Sequence, residues 1–205
     1  LFLLAKKHKY EGLSLVAACM IYIFYSGLVA PCYYDFHENA FLPTILMWLL
    51  YAMDQRKMVL FYLMSVLVCI VKEDAPLYVI CIALFFLFDE KTVKRFHGVI
   101  ITCLAVVYFI LITNWLTEYG DGQMMTSSRL GDLTTNPEAG FGGIVKNVLV
   151  NPSYFFSLFV QEKTLLFFLQ TMIPLLFLPF MTKKIHRFML IIPYVIMNLV
   201  IGAGY

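Results

Sequence analysis

Three consecutive charges, Lys72-Glu73-Asp74, separate two apolar runs at residues 58–71 and 75–88. Each run makes about 21 Å of helix, against a bilayer core of about 30 Å. Neither spans comfortably alone. The pair reads as a helical hairpin whose charged tip is drawn toward the hydrocarbon. Ionisable groups at that depth cost about 2.5–3.5 kcal/mol each on insertion scales, so they are usually paired and often functional. Lys72 can hold a phosphate or pyrophosphate, with Glu73 orienting it or binding a hydroxyl. The plainer alternatives are an ion pair of Lys72 with Glu73, Asp74 or Asp35, and Asp74 as a cap for the helix that opens near Pro76.

A second polar knot, Asp35-Phe36-His37-Glu38-Asn39, interrupts the preceding apolar stretch. In a helix Asp35, Glu38 and Asn39 share one face; in an extended segment Asp35 and His37 do. Asp35, His37 and Glu38 are the candidate catalytic residues, with Asp35 or His37 as a general base. A zinc site needs Asp, His and Glu to converge. One His supports that thinly, and a satisfied polar network is the plainer reading. No cofactor is assigned, and a divalent metal is left open. Arg129, in Arg129-Leu130-Gly131-Asp132, carries the planar fork that clamps phosphate, unless it is simply solvated. The candidate substrate-binding set is therefore Lys72, Glu73, Asp74 and Arg129.

These residues need helices to position them. The chain has 205 residues, 61% of them hydrophobic. Ordinary soluble domains are about 45–50% apolar, so the composition predicts a polytopic, multi-pass membrane protein of all-α class. A net charge of +2, dispersed along the chain, does not suggest nucleic acid. The five cysteines sit in or beside apolar runs without ligand spacing, as packing residues do. Both ends of the chain look cut, so it reads as one transmembrane domain, residues 1–205, from a longer protein.

Seven membrane segments can be drawn, at residues 13–30, 41–53, 58–71, 75–88, 98–116, 164–181 and 188–205. Of the 15 Lys and Arg, all but Lys72, Arg129, Lys146 and Lys163 lie in alternate connectors. Short basic loops stay cytoplasmic, which makes the other connectors external. Those external connectors gather Asp35, Glu38, Glu73, Asp74, Glu118, Asp121, Asp132, Glu138 and Glu162 on one face. Such a face can handle a proton, a metal or a sugar hydroxyl. The longest connector, residues 117–163, exceeds a plain turn. Its Gly and Asn-Pro punctuation and its apolar-aromatic patches predict an external loop with short interfacial helices.

Tyr34-Asp35-Phe36-His37 and, further on, Val71-Lys72-Glu73-Asp74 resemble a family of predicted bacterial and archaeal membrane proteins, domain of unknown function twenty seventy-nine (DUF2079). Arg129-Leu130-Gly131, Asn151-Pro152, the Pro174 to Pro179 run, and Ile192-Pro193 with Asn198 are similar to it in the same order. The resemblance covers the chain from about Leu13 onward. Where that family tends to carry Pro after Asp-Phe-His, this chain has Glu38. The family in turn resembles the GT-C class of membrane glycosyltransferases, which take sugar from a polyprenyl-phosphate carrier on the external side. The resemblance thus implies a GT-C-like bundle in the cell membrane, with the lipid bilayer and a polyprenyl-phosphate sugar donor as partners. It also implies that the characteristic GT-C carboxylate, in the first external loop, falls before Leu1. The alternative is a non-catalytic transporter or lipid-handling protein, since acids beside a Lys also suit an ion relay.

Overall fold

The computed structural model describes residues 1–29, 38–88, 95–120, 140–181 and 185–195. Among these the chain is all-helical, without a strand. The helices are α1 (Phe2–Lys7), α2 (Gly12–Phe24), α3 (Ser26–Val29), α4 (Leu42–Asp54), α5 (Met58–Val71), α6 (Pro76–Phe88), α7 (Arg95–Tyr119), α8 (Gly140–Val150), α9 (Pro152–Phe159), α10 (Glu162–Met172) and α11 (Ile192–Tyr194). Short 3-10 turns occupy Glu38–Phe41, Leu178–Met181 and Ile185–Leu190. The chain divides into two compact units, one of residues 1–109 and 181–189, the other of residues 110–180 and 190–205.

In the first unit α4 and α5 form the most extensive helix pair. The core is built by Leu49, Ala52 and Met53 of α4, Phe61, Val68 and Cys69 of α5, Val79, Ile82 and Ala83 of α6, and Ile101 and Ala105 of α7. Within α5 the buried positions are Phe61, Ser65, Val68 and Cys69. The opposite stripe, Val59, Leu63, Val66 and Ile70, is apolar yet 53–86% exposed. A helix that is apolar all round, with one face packed and the other bare, suits lipid rather than water. Lipid gives apolar side chains no incentive to leave it, so close packing must hold such helices together. Ala52, Ser65, Ala75, Ala83 and Ala105 supply the small side chains that this needs. Ser65 keeps its hydroxyl satisfied by donating to the Phe61 carbonyl at 2.8 Å.

The turn between α4 and α5 explains why they run antiparallel. Arg56 takes a left-handed φ of 57°. The Lys57 amide then reaches back to the Ala52 carbonyl at 2.9 Å and the Arg56 amide to Met53 at 3.0 Å. That double bond pattern is the Schellman end of a helix, usually built on Gly. Lys9 ends α1 in the same way, with φ 63° and amide bonds from Tyr10 to Ala5 and from Lys9 to Lys6.

One helix among the described residues is long and apolar enough to cross a membrane, the part of α7 from Arg95 to Leu116. Gly12–Phe24, Leu42–Asp54, Met58–Val71 and Pro76–Phe85 are shorter apolar helices. Of the expected seven-span bundle, the described residues show the coarser part, an all-helical fold with one helix long and apolar enough to span. The expected segment 164–181 is not one helix. In the second unit α10 stops at Met172, and Leu176 and Phe177 turn back with φ of 49° and 52°. Pro174 lacks the amide that would continue the helix, and Pro179 falls in the 3-10 turn that follows. The expected segment 188–205 likewise opens as a 3-10 turn and the three-residue α11, with Pro193 inside it. Phe168 meets the rings of Phe177 and Phe180 at about 6 Å, so an aromatic cluster fixes this fold-back.

Candidate functional site

Lys72 is where α5 ends. Its backbone is fully extended, φ −158° and ψ 157°. The Ala75 amide bonds back to the Lys72 carbonyl at 3.1 Å, and Leu77 bonds to Asp74 at 3.1 Å. These two bonds fold the charged triplet into a tight turn ahead of Pro76, which suits a first helical position. Asp74, Ala75 and Pro76 are all buried.

Inside this turn the Lys72 Nζ lies 3.9 Å from Asp74 Oδ2, with side chains 14% and 7% exposed. Glu73 is half-buried and has a polar partner of its own. A separation of 3.9 Å is longer than a hydrogen bond. Asp74 thus neutralises the ammonium without capturing its N–H donors, of which an ammonium has three. A cation held this way has donors for an anionic oxygen.

Glu38 opens the 3-10 turn Glu38–Phe41, which packs against both α4 and α5. This turn leads directly into α4, and α4 runs antiparallel to α5. The backbone of Glu38 therefore lies at the α5 end that carries Lys72. Asp35, His37 and Arg129 fall outside the described residues. So does any convergence of Asp35, His37 and Glu38 on a metal. Among the described residues no group of three His, Cys, Asp or Glu side chains could hold a metal ion.

The opposite end of the same helices carries polar contacts that sequence reasoning missed. Lys7 Nζ lies 2.8 Å from Asp54 Oδ2, and His8 Nε2 is 3.4 Å from Asp54 Oδ1. The Tyr62 hydroxyl and His97 Nδ1 are 2.9 Å apart, tying the first turn of α5 to that of α7. Lys57 stands over the Tyr51 ring at 5.2 Å from its centroid. Lys7, His8, Lys57 and His97 thus lie toward the α4–α5 turn end of these helices, away from Lys72. The only cue in sequence was Asp54, an acid directly before a basic turn.

The family model of predicted membrane proteins named DUF2079 matches residues 1–204. The chain belongs to this family. Neither a curated protein nor a solved structure matches it. In this DUF2079 protein, then, a buried Lys–Asp pair sits at one end of a short-helix hairpin and a basic cluster sits at the other.

Proposed function

We propose that this DUF2079 protein is an integral membrane glycosyltransferase of GT-C type that uses a polyprenyl-phosphate-linked sugar on the external side. The observation that carries the reading is the Lys72–Asp74 pair, a half-shielded cation at the end of two helices too short to span. The resemblance of the family to GT-C enzymes supplies the reaction class, which is an argument from analogy.

In this reading an acceptor hydroxyl attacks the anomeric carbon as the sugar–phosphate C–O bond breaks. The bonding pair leaves with the carrier phosphate. Lys72, assisted by Arg129, offsets that charge, as fixed cations do for phosphoryl leaving groups. The base is the carboxylate that the resemblance places before Leu1, or else Asp35 or His37; Asp35, His37, Glu38 and Glu73 hold sugar hydroxyls, and Asp74 holds Lys72 in place. The basic cluster at Lys7, Lys57 and Arg95 faces the cytoplasm, and residues 117–163 lie outside.

The test is transfer from a radiolabelled polyprenyl-phosphate sugar in membranes containing the full-length protein. Loss of transfer in Asp35→Asn, His37→Ala or Glu38→Gln, with normal protein levels, supports the enzyme. Unchanged wild-type binding of the carrier with no transfer to any acceptor moves the assignment to a non-catalytic lipid-handling protein or transporter. In that case the same buried pair serves as an ion relay.

A further inference from the structure

An apolar groove of about 250 Å³ opens between α1, α2 and α4 in the first unit. It is lined by Leu1 and residues 2–4 of α1, by Tyr22, and by Thr44, Met47, Trp48 and Tyr51 of α4. Thr44 and Tyr51 are seven residues apart on one helix, so the groove follows the helix axis for about 10 Å. Its two ends differ. Toward Thr44 it is walled by α1 leucines and the Tyr22 ring. Toward the α4–α5 turn it meets an aromatic gate, Trp48 and Tyr51 packed edge to face at 5.5 Å and 89°.

Positive charge stands at this gate. Lys57, exposed, holds its ammonium over the Tyr51 ring. Asp54, the acid of that turn, is engaged by Lys7 and His8. Among the described residues no carboxylate pairs with Lys57. The groove therefore offers an apolar channel, an amphipathic aromatic collar and a cation in that order. That is the order of parts in an anionic phospholipid, read from acyl chain to headgroup.

We propose that this groove is a binding site for an anionic phospholipid, its acyl chain against α1 and α4 and its phosphate on Lys57. Its cationic end lies at the opposite helix ends from Lys72, and the site does not rest on the proposed glycosyltransferase activity. It differs from ordinary lipid contact in being selective for headgroup charge at one defined place.

The tryptophans provide the test. The chain contains two, Trp48 and Trp115. Trp115→Phe leaves Trp48 as the reporter within this chain. The protein is reconstituted in vesicles of phosphatidylcholine containing either brominated phosphatidylglycerol or brominated phosphatidylcholine, since bromine quenches a tryptophan in contact with it. Half-maximal quenching by the anionic lipid is expected at about fivefold lower mole fraction, the factor that one Lys supplies near an anionic surface. Lys57→Gln should erase that preference, and Lys9→Gln, exposed and off the groove, should keep it. Thr44→Phe, which fills the groove, should reduce quenching by both lipids. Equal quenching by the two lipids, or a preference that survives Lys57→Gln, overturns the proposal. Quenching by neither lipid also overturns it, because protein then covers the groove. If brominated polyprenyl phosphate competes where phosphatidylglycerol does not, the occupant is the wrong one and the proposal falls.

Discussion

Replacing Lys72 by Met separates a stabilising ion pair from an idle one. Lys72 and Asp74 lie 3.9 Å apart with little exposure. Two unit charges at about 4 Å attract by about 4 kcal/mol at an effective dielectric near 20. Deleting one partner of a buried pair costs about 3–5 kcal/mol in soluble proteins, because the other charge is stranded. Asp74 has further polar contacts, which place the expected loss for Lys72→Met near 3 kcal/mol at pH 7. Lys72→Met with Asp74→Asn removes both charges and should return to within about 1 kcal/mol of wild type. Unfolding followed in detergent at pH 7 reads Lys72→Met, Asp74→Asn and the double variant. A Lys72→Met protein as stable as wild type at pH 7, or a double variant whose loss equals the sum of the single losses, refutes the reasoning.

Three further outcomes are expected. Phe61→Ala, at a position 1% exposed, should destabilise by about 3 kcal/mol or more, whereas Leu63→Ala, 53% exposed on the same helix, should change unfolding in detergent by less than about 0.5 kcal/mol. Arg56→Gly should stabilise by about 0.5 kcal/mol, measured as a raised midpoint, because Gly takes the left-handed turn without the Cβ penalty and loses only part of that gain to chain entropy. Lys146→Cys, exposed on α8, should react with a membrane-impermeant maleimide in intact cells; reaction only after permeabilisation contradicts the proposed topology.

The helical class was legible because hydropathy along this chain is a bulk property. The run 58–71 became α5 to the residue, since Lys57 and Lys72 bound it and nothing inside breaks it. The run 164–181 looked the same on average yet folds back at Leu176 and Phe177. An average over an apolar window does not register that Pro174 and Pro179 remove amides, though both residues were in view. At the charged tip, Lys72 with Asp74 was one of three pairings open to sequence reasoning, and two residues of spacing in a tight turn favour it sterically. The Lys7–Asp54 contact joins residues 47 apart in sequence and follows only from the packing of α1 on α4. Glu38 reaches the Lys72 end through the same kind of long-range fact, the antiparallel pairing of α4 with α5. The roles expected of Asp35, His37 and Arg129 rest on sequence alone, because those residues lie outside the described part of the structure.

The central claim is that Lys72 receives a carrier phosphate, and the double variant tests it most directly. Lys72→Met with Asp74→Asn removes the cation while sparing the fold, so binding and stability are read independently. Direct binding of a polyprenyl phosphate to the purified full-length protein should weaken by at least about tenfold in the double variant, the value of one charge-assisted hydrogen bond. Binding at wild-type affinity by a double variant that is folded and as stable as wild type would contradict the claim.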